Sequence, residues 1–280
     1  MSKISYSTSG FTDRGVEAAL DGVAAAGFPQ AEILGQEPHL AEVPTGKALL
    51  DFRSRLESRG FSGCTVHAPL RTNVLGAPEE GWRREKVEVL ADYIRFAGAI
   101  GASGVVIHAI PNPMFVPEAE APDIPQLMHD AVLRSLDDLI PVAEQAGTRM
   151  LLENLPYECQ YPFLTMKELR PLVDSYPAKA LGLVIDTGHA WTMKIDPAEE
   201  IRLAGCRLGG THLQDVDHDD PQDNHWVPTQ GGLDWESIRS ALAQVNYGGT
   251  WTFEPLHGRY GETPAELARI CRSVAAGWGL

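Results

Sequence analysis

Eight short apolar runs recur along the chain, each separated from the next by enough sequence for a helix. They are "KISYST" (3 to 8), "QAEIL" (30 to 34), "CTVHA" (64 to 68), "GVVIHAI" (104 to 110), "RMLLENL" (149 to 155), "LGLVIDT" (181 to 187), "GGTHLQD" (209 to 215) and "TWTFEPL" (250 to 256). Their length and β-branched content suit strands buried on both faces. Helical periodicity fills the gaps. Val87, Leu90, Ala91, Ile94 and Ala97 share one helix face, as do Val132, Leu136, Leu139, Ile140 and Ala143, and Leu267, Ile270, Cys271 and Val274 mark a last helix. Gly27, Gly101 and Gly147 close helical stretches just before a strand, where a left-handed cap is expected. Pro141 falls inside a helical stretch and is expected to kink it.

Strands that alternate with helices pair in parallel through crossovers. The simplest closed arrangement is α/β, a (β/α)8 TIM barrel forming a single domain over residues 1–280, a length within the usual range for that fold. An open doubly wound sheet is the alternative, but no GxGxxG turn follows the first run.

Composition removes several classes of function. The chain carries 38 acidic against 23 basic residues, a net charge of −15. Nucleic-acid binders need a basic face to displace counterions, so a nucleic-acid partner is not expected. No run of about 18 apolar residues suggests a membrane span. The opening "MSKISYSTSG" lacks the regions of a signal peptide, and the protein is read as cytoplasmic. Cys64, Cys159, Cys206 and Cys271 form no CxxC pair and read as reduced, mostly packing thiols.

The polar residues at the ends of the runs carry the functional signal. Glu32, His67, His108, Glu153, Asp186 with His189, His212 and Glu254 stand at or near the C-terminal ends of seven of the eight runs. In a barrel, that end holds the chemistry. One such residue is ordinarily a hydrogen-bonded turn or core group. Seven that converge would repel or stay unpaired without a divalent cation between them. In "GLVIDTGHAW", Asp186 reads as a ligand at the strand tip and His189 as its neighbour on the loop above. Carboxylates and imidazoles without thiolate suit Mn2+, Zn2+, Co2+ or Mg2+ alike.

The ordered fragments "TVHAP", "VVIHA", "LLEN", "IDTGHAW", "HLQD", "DNH" and "FEP" resemble the xylose-isomerase-like sugar isomerases and epimerases, which share their barrel with endonuclease IV. The resemblance runs from "ISYSTSGF" to the last strand. It implies a single-metal site on Glu153, Asp186, His212 and Glu254, with Glu153 and Glu254 also acting as an acid–base pair on opposite faces of the substrate. The endonuclease pattern adds His67, His108, His189, Asp223 and His225 as further metal ligands or substrate contacts, which leaves two or three zinc ions open. Two departures stand out. Asn224 lies where epimerases of the family commonly carry an arginine, with Arg71 and Arg259 as possible substitutes, and Ala109 replaces the proline usual in the endonucleases.

The resemblance implies a metal-dependent isomerase or epimerase of a sugar, cyclitol or keto-sugar. Proton abstraction next to a carbonyl would proceed through a metal-stabilised enediolate. A hydrolase or lyase of the same barrel family (an endonuclease-like phosphodiesterase or a dehydratase) and a non-catalytic sugar-binding subunit are the alternatives. A homo-oligomer is a further possibility that the resemblance suggests. Glu158 is a candidate for a substrate hydroxyl or a loop cap, Trp191 for stacking on a sugar face, and His257 for the mouth. His218 reads as a solvated loop residue, Tyr6 as barrel packing, and His39 and His129 as surface residues. Glu32 joins those last two unless it shapes the pocket.

Overall fold

The computed structural model describes residues 3–40, 42–70 and 73–280. Its strands are β1 (Ile4–Ser7), β2 (Gln30–Leu34), β3 (Gly63–His67), β4 (Val105–His108), β5 (Met150–Glu153), β6 (Leu181–Asp186), β7 (Leu208–Leu213) and β8 (Thr250–Phe253). Each pairs in parallel with the next, and β1 pairs with β8, so the sheet closes in sequence order. This is the (β/α)8 TIM barrel, and the open-sheet alternative falls away.

Several strands stop sooner than the apolar runs suggest. β3, β4, β5 and β6 each end on the polar residue that faces the mouth, namely His67, His108, Glu153 and Asp186. The segments beyond leave the sheet to form the loops that roof the barrel. Among the described residues there are nine α-helices rather than eight: α1 (Val16–Ala25), α2 (Gly46–Ser58), α3 (Glu80–Ile100), α4 (Ile124–Ala146), α5 (Met166–Asp174), α6 (Thr187–Thr192), α7 (Pro197–Ala204), α8 (Trp235–Gln244) and α9 (Pro264–Gly277). The extra one is α6, a short helix that starts where β6 ends because the Asp186 carboxylate caps it. Gly101 and Gly147 cap α3 and α4 in the left-handed conformation, as the sequence implies. α4 runs through Pro141 without ending.

Period-two alternation divides the strands into two faces. Val66, Ile107, Leu152, Leu183 and Ile185 join the helices in one continuous core. Their inward neighbours Val106, Leu151 and Val184 form a separate small apolar cluster. Burying a side chain such as Ile107 contributes roughly 1.5–3 kcal/mol, so a one-residue slip in register would be costly. The inward positions nearer the mouth are polar. His108 lies opposite Glu153, and Asp186 opposite His212. The latter pairing follows a register shift between Leu183 and Val184.

Tyr6 packs against Phe11 and Phe28, as expected for barrel packing. His129 is partly exposed and stacks on Phe163. Two surface expectations are overturned. His39 is 6% exposed and Glu32 only 1%, because β2 turns Glu32 into the barrel. All four cysteines are free. Among the described residues no helix is long and apolar enough to cross a membrane.

Candidate metal centre

Glu153 ends β5, Asp186 ends β6, His212 is the penultimate residue of β7, and Glu254 follows β8 directly. One ligand atom from each of the four lies within 4.8 Å of the others, and all four residues are buried. His212 Nδ1 sits 2.8 Å from Glu153 Oε1 and 3.2 Å from Glu254 Oε2. The sequence-level grouping of these four therefore holds in space.

The electrostatics show what such a cluster needs. Burial presses the His212 imidazole towards its neutral form. Glu254, Glu32 and Glu153 outweigh burial and hold its pKa well above the usual value. Burial pushes both Asp186 and Glu254 upward. It pushes Glu153 upward too, but His212, His108 and His67 hold that carboxyl well below the usual range. Without a cation, protonated imidazoles balance the carboxylates.

Asp186 provides a direct test of whether a metal fits. Its Oδ1 accepts from the His189 backbone N at 2.8 Å and from Gln214 Nε2 at 3.1 Å. Its Oδ2 is buried with no hydrogen-bond partner among the described residues. A buried carboxylate oxygen left bare is costly unless something binds it. Three carboxylates and one imidazole, without thiolate, form a donor set for Mn2+, Mg2+, Zn2+ or Co2+. The group fits a divalent cation. One oxygen of Asp186 caps α6 while the other faces the cluster, and this explains the acid at the end of "GLVID".

The five additional residues surround this group. His67 Nε2 and His108 Nε2 lie 3.3 and 3.2 Å from Glu153 Oε2. Asp223 Oδ1 lies 3.4 Å from His189 Nε2 and 3.1 Å from His225 Nε2. Two more cation-sized groups result, His67 with Glu153 and His212, and Asp186 with His189 and His225. Burial opposes the charged forms, yet the His225 pKa is pushed up to about 9 by Asp223, while Asp223 is held well below its usual range by His225 and His189. His225 adopts a left-handed backbone (φ 49°) that non-glycine residues rarely take. Gln214 Oε1 holds it there by accepting from its backbone N at 3.0 Å.

Gln214 and Asn154, which the sequence reading missed, and Glu32, which it placed at a run end without a role, organise these ligands. Gln214 Nε2 donates to Asp186 Oδ1 and also to Asp223 Oδ1 at 3.0 Å, bridging the two carboxylates. Asn154 exchanges two hydrogen bonds with the Asp186 backbone, at 3.0 and 2.7 Å. Glu32 Oε1 approaches His212 Nε2 at 3.0 Å. No local pattern marks such residues, because their partners lie 9 to 180 positions away or are shared with a capping motif.

A cavity of about 350 Å³ opens above the centre, walled by Ser9, Gln36, Asn112, Phe115, Tyr157 and Leu256 among others. Other sequence candidates lie outside it. Glu158 is exposed, with Oε1 3.4 Å from Lys194 Nζ. The Trp191 ring lies tilted against that of His218, with centroids 4.9 Å apart, and its Nε1 donates to the His218 carbonyl at 3.1 Å. His257 is exposed beyond β8. Arg259 lies over the Trp226 ring at 4.5 Å, and Asn224 accepts from the Asp217 backbone N at 3.1 Å. Arg71 lies outside the described residues.

A closed parallel barrel with a carboxylate–imidazole cluster at its C-terminal mouth is the architecture of barrel enzymes that gather their chemistry from strand ends. A model of the xylose isomerase-like TIM barrel family matches residues 20–273, and the chain belongs to that family. An uncharacterised protein of Methanocaldococcus jannaschii is 25% identical over 253 residues, covering 90% of this chain and 83% of that protein. The D-psicose 3-epimerase of Enterocloster bolteae is 30% identical over 135 residues, or 48% of this chain and 42% of the epimerase. Among solved structures, a 3-keto-D-glucoside 4-epimerase from E. coli superposes with a TM-score of 0.81 at 19% identity, covering 99% of this chain and all 100% of that one. A D-tagatose 3-epimerase-like protein gives a TM-score of 0.79 at 21% identity, covering 99% of this chain and 97% of the other. At these identities the structural likeness shows a shared fold.

Proposed function

We propose that the protein, acting as one domain over residues 1–280, is a divalent-metal-dependent isomerase or epimerase of a sugar, cyclitol or keto-sugar. The observation that carries this reading is the convergence of Glu153, Asp186, His212 and Glu254 on one buried point beneath an open cavity. The epimerase names borne by several relatives and structural neighbours support it.

Glu153, Asp186, His212 and Glu254 would hold the metal, with Asp186 using the oxygen that α6 leaves free. When bound, the metal supplies Lewis-acid stabilisation of negative charge at the substrate carbonyl oxygen. The chain does the proton transfer. Glu153 and Glu254 arrive from strands three apart and reach the same centre. One carboxylate takes the proton from the carbon next to the carbonyl. Return of a proton to the opposite face by the other inverts that carbon, and return to the neighbouring carbon moves the carbonyl. Either way the proton count is unchanged and no oxidant is needed. Such acid–base help is worth about 10²–10⁴ in rate.

The experiment is turnover of a keto-sugar panel in D2O with Mn2+. Deuterium should enter the carbon next to the carbonyl, and Glu153→Gln should lower turnover by about 10²-fold or more while the fold persists. Wild-type turnover in that variant would remove Glu153 from the mechanism.

The Asp223, His189 and His225 cluster favours a second reading, a two- or three-zinc hydrolase such as a phosphodiesterase. Metal stoichiometry separates the two. Three tightly held zinc ions with phosphodiester cleavage support the hydrolase, whereas one metal with proton exchange supports the isomerase. The net charge of −15 favours a small sugar-like substrate over nucleic acid in either case.

A further inference from the structure

Glu32 is a fully buried carboxylate that the proposed reaction leaves without a task. It lies on β2 and turns into the barrel at 1% exposure. Its two oxygens have different neighbours. Oε2 accepts from Thr65 Oγ1 at 2.9 Å, and Oε1 lies 3.0 Å from His212 Nε2. The other nitrogen of the same ring, Nδ1, faces Glu153 and Glu254. The imidazole therefore separates Glu32 from the candidate metal ligands, and Glu32 belongs to none of the cation-sized groups.

We infer that Glu32 is a positioning residue that keeps the proton of His212 on Nε2 and so presents Nδ1 to the metal. The inference rests on the metal centre proposed above. An imidazole that gives one nitrogen to a cation must carry its proton on the other, and an acceptor there fixes both tautomer and ring orientation. Glu32 Oε1 occupies that place. The approach is not collinear with the N–H, and neither atom has another hydrogen-bond partner among the described residues. Thr65 restrains the opposite oxygen and turns Oε1 towards the ring. A carboxylate serves better than an amide because its charge raises the basicity of the ligating nitrogen. Burial of that charge demands a charged or hydrogen-bonding partner, and His212 and Thr65 are the partners present.

The test is titration of Zn2+ into the metal-free full chain against a competing chelator, read together with the His212 Nε2–H resonance at saturating Zn2+. Glu32→Gln and Glu32→Ala should bind Zn2+ about 10–100-fold more weakly. Glu32→Asp should recover part of the loss, and the Nε2–H resonance should move upfield in Glu32→Gln. Thr65→Val leaves every charge in place and should cause a smaller loss of a few-fold. It decides the matter alone if the Glu32 variants do not fold, since wild-type affinity there would overturn the inference. Wild-type affinity and an unmoved resonance in Glu32→Gln would likewise overturn it. A wild-type chain that fails to bind Zn2+ would instead overturn the metal centre, and the inference with it.

Discussion

Gly188, in "IDTGHAW", lacks a side chain because Gln214 occupies the space, and Gly188→Ala tests how tightly the ligand scaffold is built. An alanine Cβ there would lie 2.2 Å from Gln214 Cδ and Oε1 and 2.4 Å from Nε2. An exposed amide could swing aside at little cost. Gln214 is fully buried and tied by three bonds, to Asp186, Asp223 and the His225 backbone. Two of these involve carboxylates, worth about 1.5–3 kcal/mol each, and the third about 0.5–1.5 kcal/mol. Partial relaxation and the roughly 1 kcal/mol gained by alanine over glycine in a helix reduce the sum. A net loss of about 2–4 kcal/mol remains, within the range seen when a buried network is broken. Chemical denaturation of the metal-free chain measures it. Gly81→Ala in α3 is the control, since its Cβ meets nothing within 4 Å, and it should gain up to about 1 kcal/mol. Metal affinity should fall in Gly188→Ala as well, because the Asp186 carboxylate loses one of the two hydrogen bonds to its Oδ1. Stability within about 0.5 kcal/mol of wild type, the scatter of ordinary surface changes, with unchanged metal affinity would refute the reasoning.

Glu200 and His212 give two expectations tied to pH. Burial raises the Glu200 carboxyl from its ordinary 4.5 to about 6, although the Met166 backbone N donates to it at 2.6 Å. The folded state binds that proton more tightly, so its contribution to stability is fully present below pH 4.5 and is lost as pH rises through about 6. Glu200→Gln should then raise stability by up to about 2 kcal/mol at pH 8 and add nothing at pH 4, read as melting temperatures across pH. His212, held well above its usual value chiefly against burial by Glu254 and Glu32, must release its proton to ligate a cation. Metal affinity measured by calorimetry should rise by about one log unit per pH unit near neutrality, and a flat profile would exclude His212 as a ligand.

The barrel was legible because its signal is repeated. Eight apolar runs at helix-compatible spacing leave few closed topologies, and polar residues recurring at the run ends mark one rim. Glu153, Asp186, His212 and Glu254 were readable for the same reason. Glu32 was counted at the same rim, but its burial and its role were not readable, since whether an acid near a strand end faces the lumen or the solvent depends on register, and its partner His212 is remote in sequence. Gln214 and Asn154 carry no charge and look like ordinary loop residues until their bonds to Asp186 are seen. Glu158, Trp191 and His257 were chosen for residue type near a strand end. The loops turn Glu158 and His257 to solvent and place Trp191 against His218. The short α6 escaped the helical pattern because six residues are too few to show a period.

The central claim is that one buried point at the barrel mouth binds a divalent cation through four named side chains. Anomalous diffraction from crystals soaked in Mn2+ tests it most directly. The expected result is a peak bonded at once to Glu153, Asp186 Oδ2, His212 Nδ1 and Glu254. A strong peak elsewhere, or none at saturating Mn2+ with those four side chains still hydrogen-bonded to one another, would contradict it.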